Sequence, residues 1–488
     1  MKRIILLIAG VILFQWSVWG TPITRTYGVA TNNESGYTIK TTTDGGYIIC
    51  GSTEEYGDSE SELYVIKIDN TGATQWTRTY GGTNAEDAGI DAIYPTSDNG
   101  YIICGTTHSF GKNGDVYIIK IDNTGATQWT RTYGGTNEDT GQAVVETSDG
   151  GYIVTGVYDN TGPNPPKVYL LKLNNTGMTQ WTKTYGGITG RNGYNVRETD
   201  DSGFIVVGYI VNPTSSDVYL MKTDNTGATQ WTRTYGDTNT DVGFNVEKTS
   251  DNGYILAGFS EQPSGGGIND IYVIKVDNNG NKEWEKRYGG TDDDWGFSIK
   301  NVNTNGYLVC GRTRSYGAGE EDVYVVRIDN TGATQWTRTY GGYTNDSGYS
   351  LVVRSDGTYA VVGETYSFGS GGKDVYLIID SLPEESTTNT NTGEPANSLD
   401  NATTGATVVN VGEGEEVEFL NLTANAKVDI YTSAGELVVS LNDDNNDGII
   451  RWDGKNSDGE LITNGVYLCK ITNTKGESKI LKVVIVVK

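Results

Sequence analysis

The stretch Ala73–Gly82, ATQWTRTYGG, decides the fold. The same ten residues return at Ala126–Gly135 and Ala333–Gly342, with near copies at Met178–Gly187 (MTQWTKTYGG), Ala228–Asp237 (ATQWTRTYGD) and Asn281–Gly290 (NKEWEKRYGG). Near the start of the chain only the second half is written, PITRTYG at Pro22–Gly28. The Tyr-Gly pairs fall at Tyr27, Tyr80, Tyr133, Tyr185, Tyr235, Tyr288 and Tyr340, 50 to 53 residues apart. Two more markers keep the same period. A GYI-type motif places aromatics at Tyr47, Tyr101, Tyr152, Phe204, Tyr254, Tyr307 and Tyr359, and a DVYxxK motif at Tyr64, Tyr117, Tyr169, Tyr219, Tyr272, Tyr324 and Tyr376. A fixed period of this length signals a solenoid, a propeller or an array.

Inside one period, short alternating runs are broken by turn residues. In Asp139–Gly187, DTGQAVVET, GYIVTG, KVYLLKL and QWTKTYGG read as strands, with SDGG and NNTG turning the chain. Asp-Gly and Asn-Gly types supply the positive φ that tight hairpins need. No segment keeps apolar residues at helical spacing over eleven residues. Four short strands per period is the content of one propeller blade. The final repeat ends at Asp374–Asp380 (DVYLIID) without a QWTRTYG, and the first repeat opens with the lone PITRTYG. The N-terminal strand is therefore expected to complete the last blade, closing the ring and removing exposed sheet edges. The expected fold is all-β: a seven-bladed β-propeller of four-stranded blades over residues 21–380, closed by the N-terminal strand. The repeated tryptophans (Trp76, Trp129, Trp181, Trp231, Trp284 and Trp336) suit burial between blades, the rival reading being an exposed ring for stacking sugars.

The pattern GGTNxDxG … TSDGGYIVxG … DVYxIKxDNTGxxxW resembles the bacterial extracellular propeller repeats known as SBBP repeats, from about Thr21 to Asp380. The resemblance implies the fold and leaves activity open, because propellers host binding, scaffolding and catalysis alike.

Residues 381–405 are Thr/Asn/Ser-rich without apolar periodicity and read as a linker. Strands resume over residues 406–488, a small Ig-like β-sandwich by expectation. VDIYTSAGELV (Val428–Val438), RWDGKNSDGE (Arg451–Glu460), NGVYLCKI (Asn464–Ile471) and the terminal ILKVVIVVK resemble the C-terminal sorting domain of type IX secretion, and equally the Ig-like domain of flagellar hook-capping proteins. The first resemblance implies a secretion machinery engaged through residues 406–488 and removal of the tail on surface attachment. A plain structural module is the competing reading.

At the other end, Lys2 and Arg3 precede an apolar run from Ile4 to Phe14, and Val18 and Gly20 offer a cleavage site before Thr21. Residues 1–20 thus read as an export signal; the run is short for a membrane anchor. No cysteine follows until Cys50, so the lipoprotein form is not expected. Once the signal is cleaved, no integral membrane segment is expected, and the mature protein should be secreted or on the cell surface. An even set of four cysteines invites disulfides in such a protein. However, Cys50, Cys104 and Cys310 hold one repeat position and so stand a repeat apart, beyond disulfide reach.

The net charge of −26 with only 36 Lys+Arg repels phosphate backbones and anionic membranes, so nucleic acid is not an expected partner. Cations, neutral glycans and proteins remain. The one histidine, His108, lies in a variable loop; no GxSxG elbow, zinc cluster or phosphate loop occurs. Acids stand two residues before a glycine after each TYG segment: Glu34, Asp87, Asp139, Asp241, Asp294 and Asp346, with Arg191 in the remaining repeat. If they ring the channel mouth they could hold Ca²⁺, which takes six to eight oxygens; alternatively each bonds its own turn. The run DDNNDG (Asp443–Gly448) resembles the start of a calcium loop, but Gly454 occupies its twelfth position instead of Glu. Variable loops between second and third strands carry Tyr56, Phe110, Tyr158, Tyr316 and Phe368. These aromatics suit a glycan or protein ligand, and would equally serve to pack the loops down. The favoured function is a surface binding or adhesion propeller. The alternatives are a polysaccharide lyase or glycosidase, the latter needing two convergent carboxylates, and a structural envelope protein.

Overall fold

The structure is a computed structural model that describes residues 22–383, apart from 31, 56–60, 85, 112, 162–163, 263–266, 303–305 and 371, and most of 403–486. The export signal and most of the expected linker lie outside the described residues. The chain divides between Leu382 and Pro383 into two compact units.

The first unit is built of four-stranded antiparallel sheets. In one quartet Thr140–Glu146, Tyr152–Tyr158, Lys167–Leu173 and Thr179–Tyr185 pair in chain order. The turns follow from their side chains. In the DNTG turn, Asp122 Oδ1 accepts bonds from the Thr124 N–H (2.8 Å), the Thr124 hydroxyl (2.7 Å) and the Ala126 N–H (2.9 Å), while Gly125 takes a φ of 82°. In the SDNG turn, Asp98 receives the Lys120 ammonium from the third strand at 2.8 Å; Lys172–Asp149 and Lys275–Asp251 repeat the pair.

The first strands of the quartets are Asn32–Thr41, Glu86–Pro95, Thr140–Glu146, Arg191–Glu198, Asp241–Lys248, Asp294–Asn301 and Asp346–Val353. Each lies against the first strands before and after it, and Asp346–Val353 lies against Asn32–Thr41. The circle is closed, with these strands innermost. The architecture is of the β-propeller type. The N-terminal strand Ile23–Tyr27 pairs antiparallel with Asp374–Ser381, Ile23 opposite Ile379 and Tyr27 opposite Val375, as the split repeat predicts.

The core sits between quartets. Ile39, Ile49 and Ile66 of one pack on Val362, Val375 and Leu377 of the next, all fully buried. The repeated tyrosine locks each pair. Tyr80 donates its hydroxyl to the Gly125 carbonyl in the following quartet's DNTG turn (2.7 Å), and Tyr185–Gly227, Tyr235–Gly280 and Tyr288–Gly332 do the same. Tyr27 of the closing strand makes this bond to Gly72 at 2.6 Å. Tyr340 faces the quartet that lacks the turn and donates instead to Asp380 (2.6 Å). The tryptophans pack across the same boundary, Trp129 on Tyr152 and Trp181 on Phe204, but are only half-buried. Their contribution is correspondingly below that of a fully buried ring.

The strand Glu86–Pro95 departs from the others. Its register shifts over Ala88 to Ile93, against a single skipped residue elsewhere, and Asp91 forms a parallel bridge with Ala143 that joins two quartets into one eight-stranded sheet. Asp91 thereby meets Lys40 (2.5 Å), Arg197 (2.9 Å) and Asn195 (3.0 Å) from other inner strands. Arg197 continues to Glu247 (2.8 Å), which also pairs with Lys300. Burial lowers the Lys40 pKa to about 8, against the opposing pull of Asp91.

The second unit stacks a three-stranded sheet (Thr403–Thr404, Val417–Leu420, Ile450–Trp452) and a five-stranded sheet (Val408–Asn410, Ser478–Val486, Gly465–Thr472, Lys427–Thr432, Leu437–Asn442) on one core that includes Phe419, Trp452, Ile430 and Ile471. All four cysteines are free and buried, so the disulfide reading fails for the reason the repeat gives.

Removing one member of a buried ionic network leaves charges unpaired, at about 3–5 kcal/mol. Asp91→Ala is therefore expected to lower the urea unfolding free energy by that amount. A loss under about 1 kcal/mol would show that Asp91 does not hold the inner strands together.

Candidate functional site

The inner strands share a β-bulge next to a glycine. Pairing skips from Gly36 to Thr38, Gly141 to Ala143, Gly193 to Asn195, Gly243 to Asn245, Gly296 to Ser298 and Gly348 to Ser350. The skipped residue has no cross-strand partner, and a bulge re-aims its side chain. These residues are Tyr37, Gln142, Tyr194, Phe244, Phe297 and Tyr349. Because the inner strands circle one axis, the aromatics come into contact, tilted against one another. Ring centres are 5.2 Å apart for Tyr194–Phe244, Phe244–Phe297 and Phe297–Tyr349, and 5.7 Å for Tyr349–Tyr37. The result is a belt over five adjoining inner strands.

Neighbouring positions extend the belt. Trp295 stacks on Phe259 with centres 4.2 Å apart, and the Arg312 guanidinium lies 4.3 Å from the Trp295 ring centre, a cation–π geometry. Arg312 pairs with Glu321 (3.2 Å). Glu364 accepts from Ser35 (2.7 Å) and pairs with Lys373 (3.1 Å). Burial pushes the Tyr194 and Tyr349 hydroxyls well above their ordinary range, so both remain protonated donors. The arrangement offers flat apolar faces edged with hydroxyls and neutralised ion pairs. The signal for it is visible in the sequence: an aromatic directly after the glycine of the acid-x-glycine motif in four of the repeats, and after that of its Arg191 counterpart in a fifth.

Those loop aromatics are placed differently. Phe110, Tyr158, Tyr316 and Phe368 each pack on the third-strand tyrosine of their own quartet, Tyr117, Tyr169, Tyr324 and Tyr376, at 5.4–5.6 Å. Tyr316 also donates to the Gly289 carbonyl (2.8 Å). Phe110, Tyr316 and Phe368 keep an exposed edge while fastening their loops. Tyr56 lies outside the described residues. His108 is exposed.

The acidic series does not converge. Asp139, Asp241, Asp294 and Asp346 are buried at separate quartet boundaries and accept backbone N–H bonds from Gly135, Asp237, Gly290 and Gly342 of their own loops, at 2.6–3.0 Å. The turn-bonding alternative is what the geometry displays. The side chain of Asp87 and residues 444–449 lie outside the described residues. Among the described residues no group of three or more His, Cys, Asp or Glu is placed to hold a metal.

A second acid, which the sequence reading did not single out, joins each member. Asp374, Asp115, Asp217, Asp270 and Asp322 open their third strands or stand next to the start, and meet Glu34, Asp139, Asp241, Asp294 and Asp346 over the glycine of the Tyr-Gly pair. Both carboxylates approach within 3.0 Å of where a Cβ on Gly28, Gly134, Gly236, Gly289 or Gly341 would stand, which is why that residue is glycine. At the remaining described boundary both acids are exchanged for bases, Lys167 and Arg191, which lie over the rings of Tyr158 and Tyr219. Burial, with Asp374 adding and a Thr53 hydrogen bond opposing, raises the Glu34 pKa to about 7.

No family model matches the chain, and no curated protein matches it. Solved structures resemble it at low identity. PorZ, a surface component of the type IX secretion system of Porphyromonas gingivalis, is 12% identical with a TM-score of 0.43; the match covers 92% of this chain and 59% of that one. A puromycin hydrolase is 13% identical with a TM-score of 0.47, over 82% of this chain and 61% of that one. An ulvan lyase of polysaccharide lyase family PL25 is 11% identical with a TM-score of 0.46, over 73% and 96%. Likeness of this degree carries no argument about activity.

Because Glu34 binds its proton more tightly folded than unfolded, its stabilisation is complete below the ordinary carboxylate pKa of about 4.3 and is lost as pH rises through about 7. The thermal midpoint should fall between about pH 5 and about pH 8, and Glu34→Gln should flatten that fall. An unchanged slope in the variant would acquit Glu34.

Proposed function

We propose that this chain is a secreted or cell-surface binding protein: a seven-bladed propeller of the SBBP type, exported by residues 1–20 and sorted through an Ig-like domain at 406–488. The belt of Tyr194, Phe244, Phe297, Tyr349 and Tyr37 carries this reading. Contiguous aromatic faces with a few oriented polar groups are what ligand sites are made of; Tyr37, Tyr194, Phe297 and Tyr349 are only partly buried, around a buried Phe244. The ligand is a glycan or a protein held at the mouth of the axis, with the variable loops around it. Calcium has weaker support: five of the described boundaries offer two carboxylates each, against the six to eight oxygens the ion takes. Among the described residues no helix is long and apolar enough to span a membrane.

An array carrying both glycans and peptides tests the reading. Retention without product is expected, with Tyr37→Ala binding about tenfold or more weakly. Release of cleaved sugar would install the lyase or glycosidase alternative, and no retention on either arm would remove the binding role. For the tail, a chain lacking residues 406–488 in a type IX-competent host should accumulate in the periplasm. Its normal appearance at the surface would reduce the tail to a structural module.

A further inference from the structure

Beside the belt runs a second set of groups with unmet bonding capacity. Asn192 Oδ1, Thr140 Oγ1, Trp295 Nε1 and Arg191 Nε are buried without a hydrogen-bond partner. Asn192 and Thr140 are only 8% and 9% exposed. Thr140, Asn192 and Trp295 hold one register position, directly before the bulge glycines Gly141, Gly193 and Gly296, and Arg191 stands one residue earlier. Asn192 and Trp295 therefore stand two residues before the belt rings Tyr194 and Phe297, and Thr140 lies on the adjoining inner strand, two residues before Gln142. Trp295 itself touches Phe244, Phe259 and Phe297. The Asn192 amide, through Nδ2, donates to Tyr209 (2.6 Å), whose ring packs on Tyr194.

Buried polar atoms are almost always bonded, and each exception calls for an explanation. Among the described residues twelve such side-chain atoms occur, and those of Thr140, Asn192 and Trp295 are the ones at this inner-strand position. Asn192 Oδ1 only accepts, Trp295 Nε1 only donates, and the Thr140 hydroxyl does both. An occupant must supply donors and acceptors around its rim and present apolar faces to the flat rings. Two ion pairs stand beside the belt, Arg312 with Glu321 and Lys373 with Glu364. The net charge of −26 disfavours an anion.

We propose that the channel mouth binds a neutral carbohydrate chain, its C–H faces on the Phe297 and Tyr349 rings and its hydroxyls on Asn192, Thr140 and Trp295 Nε1. A sugar ring combines alternating hydroxyl donors and acceptors with an apolar face. A peptide anchor of aliphatic side chains would leave the polar rim unpaired, which is costly. This inference rests on the binding-propeller reading and narrows its ligand.

The test is titration of the full mature chain with neutral gluco-, manno- and galacto-oligosaccharides, followed by tryptophan fluorescence and calorimetry. Uronic-acid oligosaccharides and a peptide library form the comparison arms. Trp295→Phe keeps the stack on Phe259 and removes only the N–H; Thr140→Val keeps the shape and removes only the hydroxyl. The expected result is saturable binding of a neutral oligosaccharide, weakened about fivefold or more by either variant at an unchanged thermal midpoint. Equal affinity in both variants would overturn the proposal. So would binding confined to uronic sugars or to peptides, an outcome that leaves the binding-propeller reading standing. Silence from every arm would overturn both.

Discussion

Everything in the first unit depends on the hydroxyl of the repeated tyrosine reaching the glycine carbonyl of the following quartet's turn. A single four-stranded sheet has two apolar faces and cannot cover either alone. Its neighbours cover them, provided that adjacent sheets are held at a fixed offset. The tyrosine sets that offset, because it ends the outer strand and its partner carbonyl exists only in a turn with a positive-φ glycine. The ten-residue sentence is repeated because both halves of this bond must be supplied at each boundary. The closing strand obeys the same rule: Tyr27 finds Gly72 across the seam as Tyr80 finds Gly125 within the chain. Where the last quartet has no turn, Tyr340 is caught by Asp380, which stands at the register of Ile328, one residue before the place of the turn aspartate.

A second constraint makes the site. The inner strands carry one residue more than their partners can pair, and the surplus side chain turns to the axis. Repetition then does what no single bulge could, setting five aromatic rings side by side. Farther along the same strands the axis is occupied by Lys40, Asp91, Arg197, Glu247 and Lys300 in one ionic chain. Such a network adds little stability over apolar packing but is intolerant of losing a member. The register irregularity that brings Asp91 into it also fuses two quartets, so the ring is not perfectly regular where it most needs to be pinned.

The boundary carboxylates are tied into the loops that join the quartets. Each inner-strand acid is spent on its own loop's backbone, and its companion from the preceding third strand occupies the space a side chain on the Tyr-Gly glycine would need. At the boundary where both acids become bases, the same scaffold persists with the charges lying over aromatic rings. The charge sign is therefore not what the fold requires; the compactness of the glycine is.

Periodicity alone determined much of this protein. The period, the strand pattern and the split TRTYG fix all-β quartets and their closure, because alternation and turn chemistry are local and a missing strand at one end matches a surplus at the other. The chain divides into two units between Leu382 and Pro383, where its composition also changes. The equivalence of Cys50, Cys104 and Cys310 foretold free thiols. What the sequence could not decide was which repeated side chains converge. Phe110 and Tyr316 each pack on the third-strand tyrosine of their own quartet and keep an exposed edge. Tyr194 and Phe297 look like ordinary strand residues, yet they face the axis. Alternation assigns a strand residue to one of two faces. A bulge breaks the alternation by one residue, and only the pairing of strands in three dimensions reveals where that break falls.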